Sequence, residues 1–398
     1  MRQYSRLFVS LLVIGALVAV APASVAGQPT DTTTQSPFPI TLTDATGTEV
    51  TLDERPERVT TTNPSAAQVM WELDAESQVV GLTQFAHYLD GAETKTNVSS
   101  TELGVSIERV VATEPDLVLA PNATSVETIE ALREAGVTVY HFPAATDFED
   151  VKSKTLTIGQ LTGNEQAARE TNAWVDANVE AVSTATVDAE EPRLMYPLLG
   201  GYAVGDETFI NEIIEASGAE NVVAEEFDGY QSVSDEVVIR TEPDVLIITD
   251  QTEGQILDSE PYSLLDDPVV ARLEVSYLNQ PAPRSVVYST RNLTAQLHPD
   301  RYDDSEFVSR AEAAASLDGS TANATATESP ESTESTATAD SASTANADDE
   351  STDDDGSVPE STDDDSPTGV SAPGFGPAVA IFSLLGGSLL ARRRSGAA

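Results

Sequence analysis

Cysteine is absent from this 398-residue sequence, and methionine, tryptophan and histidine number only three, two and three. Without cysteine there is no disulfide, no thiolate nucleophile or metal ligand, and no lipid attached through an N-terminal cysteine. Stability must come from a packed core, and the roughly 270 residues of mixed composition in the middle of the chain suffice for one. His87, His141 and His298 are scattered, and the HExxH pair, the Gly-x-Ser-x-Gly elbow and the P-loop are all missing. No enzyme is expected. Acidic residues are so frequent that a pair of carboxylates carries no information about catalysis. A metal centre of His87 with Tyr88 is conceivable, since imidazole and phenolate bind iron, but a lone His beside a Tyr is the commoner loop; no metal site is assigned.

Positive charge is scarce as well. Lys95, Lys152 and Lys154 are the only lysines, and 67 acids against 20 bases give a formal net charge of -47. Nucleic acid is not an expected partner, because no basic stripe exists to meet phosphate. Such self-repulsion becomes tolerable when the Debye length falls to ~3 Å near molar salt. The composition resembles that of haloarchaeal proteins, and the acids pervade the central region as well as the tail.

Long apolar runs occur only at the two ends. Arg2 and Arg6 precede Leu7 to Val20, and small residues follow from Ala21 to Ala26. That layout reads as a secretory signal peptide over residues 1–26. Near the other end Pro373-Gly374-Phe375 leads to the apolar run Ala378 to Ala391, closed by Arg392-Arg393-Arg394. The arginines are expected on the cytoplasmic side, leaving what precedes them outside. At roughly 14–16 apolar residues the run is short of the ~20 that span comfortably. Residues 371–398 resemble the archaeal PGF-CTERM sorting signal, which implies cleavage near Pro-Gly-Phe by an archaeosortase-type enzyme and replacement of the tail by a lipid. An ordinary membrane helix is the alternative; both anchor the chain at the outer face of the membrane.

Large apolar residues are nearly missing from residues 311–370, where Glu350-Ser-Thr-Asp-Asp-Asp recurs as Glu360-Ser-Thr-Asp-Asp-Asp. This composition cannot offset ordering entropy and is expected to form a disordered stalk. Asn97, Asn122, Asn292 and Asn323 begin glycosylation sequons.

What is present in between is a regular alternation. Arg58 to Thr62 reads as a strand, Ala66 to Leu73 as helix, Gln78 to Leu82 as strand, and Pro115 to Ala120 as a buried strand. Ser125 to Ala135 is helical and Val137 to Tyr140 a further strand. After a helical stretch from Phe148 to Val187, interrupted only by Gly159 and Gly163, the alternation resumes at Arg193. Short apolar strands between helices indicate parallel sheet with both faces covered. The halves share a phrase: Glu108-Arg-Val-Val-Ala-Thr-Glu-Pro-Asp-Leu-Val-Leu and Glu236-Val-Val-Ile-Arg-Thr-Glu-Pro-Asp-Val-Leu-Ile. In each, helix gives way before proline to a buried strand. The expected fold is α/β with two Rossmann-like lobes, residues 38–146 and 189–308, each a parallel sheet flanked by helices. One long α-helix in residues 147–188 joins them, leaving a cleft between.

From Ile40 to about Tyr302 the chain resembles the class III substrate-binding proteins of ABC importers, the cobalamin and ferric-siderophore group. The resemblance rests on Asp44-Ala-Thr-Gly, Asn63-Pro-Ser-Ala, Val79-Val-Gly-Leu, both Glu…Pro-Asp phrases, Gly205-Asp-Glu-Thr-Phe-Ile and Leu297-His-Pro. It implies a surface protein that captures a metal chelate between two stiff lobes and delivers it to a permease dimer with its ATPase. No cofactor is implied beyond the ligand, for which cobalamin is favoured over a ferric siderophore or haem. Tyr88 and Tyr230 match aromatic wall positions of the cobalamin binders, and Tyr202 lies beside Gly200-Gly201; their rings offer contact area and their hydroxyls reach ligand amides. Covering the sheet ends is the competing role. Asn63, Ser65 and Asn122 sit in loops where short polar chains can meet a ligand, although helix capping explains the first two equally. Glu102 stands where the family often has an aromatic. Glu108 and Glu236 match the acids, one per lobe, that meet permease arginines; solvated helix acids would look the same. Arg284 and Arg291 are the only arginines near enough to serve a carboxylate-rich siderophore. An envelope glycoprotein of adhesive function, for which stalk and sequons are equally natural, is the rival from another class.

Overall fold

The structure, a computed structural model, describes residues 37–101, 104–302 and 307–317. The expectations for the signal peptide, Glu102, the stalk beyond residue 317 and the Pro373-Gly374-Phe375 signal lie outside these residues. Among the described residues no helix is long and apolar enough to cross a membrane.

The described residues open with an antiparallel hairpin, β1 (Ile40–Thr43) on β2 (Glu49–Leu52). The first lobe follows with β3 (Val59–Thr61), α1 (Pro64–Glu72), β4 (Val79–Leu82), β5 (Thr96–Asn97), α2 (Ile107–Ala112), β6 (Leu117–Ala120), α3 (Val126–Glu134) and β7 (Val139–His141). Its five strands pair in the order β5-β4-β3-β6-β7, all parallel. Strand β6, inside the sheet, shows why both faces are covered: Leu117 and Leu119 enter one core cluster with Val69 and Met70 of α1, whereas Val118 and Ala120 enter another with Ile129 and Leu132 of α3.

Two helices follow, α4 (Phe148–Thr162) and α5 (Glu165–Thr186). A single long helix was expected here, and the chain instead turns back at Gly163, which caps α4 at φ +70°. A left-handed residue ends an α-helix, and glycine adopts that conformation without strain. Arg55 holds the turn, its Nε donating to the Thr162 carbonyl at 2.9 Å and its guanidinium to Asn164 Oδ1 at 2.9 Å. The reversal makes both helices links between lobes. α4 gives Phe148 and Val151 to the second lobe's core and Ile158 and Leu161 to the first; α5 gives Ala168 to the first and Trp174 and Val175 to the second.

The second lobe contains β8 (Arg193–Met195), β9 (Pro197–Leu198), β10 (Tyr202–Val204), α6 (Phe209–Ala216), β11 (Glu220–Asn221), β12 (Tyr230–Ser232), α7 (Asp235–Thr241), β13 (Val245–Thr249), α8 (Glu253–Leu257), β14 (Val269–Leu273), α9 (Val275–Leu278) and α10 (Pro283–Leu297). Its parallel sheet has the order β11-β8-β13-β14, and a three-stranded antiparallel sheet, β12-β10-β9, lies beside it. That second sheet was not expected. Residues 310–317 are helical rather than the start of a stalk, with Ala313 inside the second lobe's core.

The repeated phrase folds the same way twice. Asp116 and Asp244 accept backbone N–H groups at the entry to β3 and β8, from Arg58 at 2.8 Å and Arg193 at 3.2 Å. The same arginines also donate to carbonyls where α2 and α7 end, Arg58 to Thr113 and Glu114 just past α2 and Arg193 to Thr241 at the end of α7. The residue before each proline, Glu114 or Glu242, takes a positive φ of 45° or 42°. Proline thus ends the helix as expected, but through a left-handed residue rather than an extended one.

Candidate functional site

Parallel strands deliver their loops to one end of a sheet, and ligands of open α/β sheets bind outside that carboxyl end. In the first lobe those loops carry Asn63 and Ser65 after β3, Tyr88 after β4 and Asn122 after β6. In the second they carry Tyr277 on α9 after β14, while the Gly200-Gly201 turn follows β9 of the antiparallel sheet. Tyr88 and Tyr277 meet edge to face, with ring centroids 5.9 Å apart, so the carboxyl ends of the two sheets are joined by an aromatic contact. The Tyr88 hydroxyl accepts from Gln68 Nε2 at 2.8 Å, and Gln68 Oε1 accepts from the Ser285 N–H and hydroxyl, each at 3.1 Å. One glutamine on α1 therefore ties a loop of its own lobe to α10. Burial pushes the Tyr88 phenol well above its ordinary range, the bond from Gln68 opposing it, so Tyr88 stays a neutral hydroxyl rather than a phenolate.

Tyr202 and Tyr230 come together through strand pairing. β10 and β12 are antiparallel with Tyr202 opposite Ser232 and Val204 opposite Tyr230, which sets both tyrosines on one face as diagonal neighbours. Both are half-buried against the second lobe's core. Gly200 and Gly201, at φ +80° and +78°, make the turn that leads the chain into β10. Tyr196 lies buried nearby and donates to Asn279 Oδ1 at 3.1 Å. Burial raises the Tyr230 phenol well above its usual value, reinforced by Tyr196. Two tyrosine rings on adjacent strands thus share one face of this small sheet. A cavity of about 370 Å³ in this lobe is lined by the Gly200-Gly201 turn, Leu198, Asp235, Ile256 and Tyr262.

The loop residues differ in availability. Asn63 is half-buried and caps α1, its side chain accepting from the Ser65 N–H at 2.9 Å. Ser65 is fully buried beneath that turn, so direct contact with a ligand is not available to it. Asn122 is half-buried, in a loop pinned by the Thr62–Thr124 hydroxyl pair at 2.6 Å. Neither candidate arginine is spare: Arg284 pairs with Glu72 at 2.5 Å, and Arg291 stacks on the Phe307 ring at 4.6 Å. His87 is exposed, and His141 and His298 are buried against backbone carbonyls of Ala120 and Gly218. Among the described residues no group of three acids or histidines is placed to hold a metal ion.

Glu108 and Glu236 occupy matched places. Each is exposed and stands second in a short helix, α2 or α7, whose serine cap, Ser106 or Ser234, accepts from the N–H one residue past the glutamate.

A family model described as periplasmic binding protein matches residues 59–274, more than half of the chain and spanning both lobes. The chain is a periplasmic binding protein. The family works with an ABC permease and ATPase and binds its substrate rather than converting it. A protein of Halobacterium salinarum named cobalamin-binding protein is 40% identical over 302 residues, covering 70% of this chain and 81% of that one. The fold is shared with the apo periplasmic heme-binding protein RhuT of Roseiflexus (TM-score 0.53, 23% identity, 60% of this chain and 98% of that one). It is shared too with the molybdate-binding protein MolA of Haemophilus influenzae (TM-score 0.58, 19% identity, 66% of this chain and 92% of that one).

Sequence reasoning missed Gln68, Tyr196, Tyr277 and Asn279. Gln68 lies inside a run of apolar helix residues, a polar residue on a buried face, and that mismatch was its available signal. Tyr277 and Asn279 carried none, since β14 and α9 were not foreseen.

Proposed function

We propose that this binding protein captures a corrinoid, cobalamin being the preferred ligand, outside the cell and hands it to the permease of an ABC importer. The observation that carries the reading is the 40% identity, over most of both chains, to the Halobacterium protein named cobalamin-binding. The tyrosine face agrees with it. Tyr202 and Tyr230 offer rings to a corrin and hydroxyls to its amides, with Tyr88 and Asn122 on the opposite lobe and Asn63 at the margin. Engagement of Arg284 and Arg291 with Glu72 and Phe307 speaks against a carboxylate-rich siderophore. The ligand lies in the cleft between the lobes, and Glu108 and Glu236 give one docking carboxylate per lobe to the permease dimer. The C-terminal segment with Pro373-Gly374-Phe375 retains the protein at the outer face of the membrane after archaeosortase-type processing. A ferric chelate is the second reading, favoured by the fold shared with the heme-binding RhuT.

Uptake by cells tests this. A strain lacking the gene is expected to lose accumulation of labelled cyanocobalamin supplied at nanomolar concentration and to regain it on complementation. Unchanged corrinoid uptake together with lost uptake of haem or a ferric hydroxamate would replace the first reading by the second.

A further inference from the structure

Among the described residues six large apolar side chains are conspicuously exposed: Val111, Val126, Val187, Ile239, Leu264 and Val269. Single exposed apolar residues are ordinary. Their placement is not, because the lobes repeat it. Ser106-Ile-Glu108-Arg-Val110-Val111 and Ser234-Asp-Glu236-Val-Val238-Ile239 align position by position. The serines cap, Val110 and Val238 are fully buried, and the glutamates are exposed. Three residues after each glutamate stands an exposed β-branched chain, Val111 at 37% and Ile239 at 41%. Residues i and i+3 of a helix share a face. Each lobe therefore shows a carboxylate and an apolar group side by side on one short helix. Each helix has a second exposed apolar residue on the element packed against it, Val126 at the start of α3 beside α2 and Leu264 in the turn beside α7.

We propose that each lobe docks on the permease through a bipartite contact, in which Glu108 or Glu236 sets the register and Val111 with Val126, or Ile239 with Leu264, supplies the affinity. The proposal rests on the reading of the two glutamates as permease contacts. It commits to one partner: a permease whose two equivalent subunits each present a basic side chain beside an apolar notch. Two matched patches on one chain fit two copies on the other. The charge of the chain says why an acid alone is insufficient. At the salt its net charge of -47 calls for, an exposed ion pair is screened within about 3 Å and contributes little, whereas burial of apolar surface is not screened.

The test is binding of the full chain to the permease–ATPase complex of the same cell in nanodiscs, at about 1 M and about 3 M KCl. Val111→Thr keeps the side-chain shape and Ile239→Thr keeps the β-branch while shortening the chain by one carbon, and both replace apolar surface by a hydroxyl; Glu108→Gln/Glu236→Gln removes the charges. The apolar pair is expected to weaken binding at least about tenfold at both salts, and the charge pair mainly at the lower. Titration of each variant with cyanocobalamin, expected unchanged, reports on folding and on the ligand site independently. Wild-type docking by the apolar variant beside weakened docking by the charge variant would overturn the bipartite contact alone. Wild-type docking by both would overturn the docking reading itself.

Discussion

Tyr230 illustrates what a single residue contributes here. Its ring lies on the same sheet face as Tyr202, and its phenol is held neutral by burial. Tyr230→Ala is expected to weaken corrinoid binding at least about tenfold, while Tyr230→Phe, keeping the ring, loses less; fluorescence titration compares them. Glu212 makes a different prediction. It is half-buried on α6 and accepts the Phe148 N–H at the start of α4, and burial, aided by Asp147, Glu149 and Glu215, raises its carboxyl to about 7. A carboxyl raised in the folded state favours folding below its unfolded value of 4.5, and that advantage is lost as pH rises through about 7. Glu212→Gln is therefore expected to stabilise the protein at pH 8 by on the order of 1 kcal/mol, discounted for exposure, and to change little at pH 4. Thermal melts at both values check it; equal effects at both would contradict the titration. Some of this chemistry was legible in the sequence. Asn63 before Pro64 reads as a cap and is one, but the Tyr202–Tyr230 pairing depends on a sheet whose strands of two and three residues are too short to show alternation.

At the scale of elements, the two Thr-Glu-Pro-Asp phrases announced their helices and strands because proline and a continuous apolar run act locally. The break between α4 and α5 was less visible, since a lone glycine within a helical pattern is often tolerated. Arg55, more than a hundred residues away, is what holds that turn. Gly205 presents a similar case. A Cβ there would lie 2.2 Å from the Phe227 carbonyl oxygen and 2.5 Å from its ring, while the Gly205 N–H donates to the Gly229 carbonyl at 2.8 Å. Backbone cannot yield as a side chain does. Gly205→Ala is expected to cost about 2–4 kcal/mol and to weaken corrinoid binding by displacing the segment that leads to Tyr230. Denaturant unfolding and ligand titration on the same variant read both effects, and a neutral substitution would show that the segment moves freely.

For the whole molecule the decisive structure is the junction of the lobes. Glu72 on α1 is buried and meets both Arg284 of α10 and Arg310, which also stacks on Trp174 at 4.5 Å. Lys154 of α4 donates to the Pro281 carbonyl just before α10. With α4 and α5 contributing to both cores, these bonds tie the two lobes together. Glu72→Ala would leave two guanidinium groups without their carboxylate and is expected to cost about 3 kcal/mol, seen as a lowered unfolding midpoint. None of this was readable from spacing, because residues 72, 284 and 310 meet only after both lobes have formed. Residues 307–317 complete the junction, so a soluble domain should extend to residue 317.

The account stands most directly on one titration: residues 37–317 in about 2–3 M KCl, with cyanocobalamin added while tyrosine and tryptophan fluorescence is followed. It predicts saturable one-to-one binding, micromolar or tighter, weakened by Tyr230→Ala. Absence of binding by a domain that melts cooperatively would contradict the corrinoid reading.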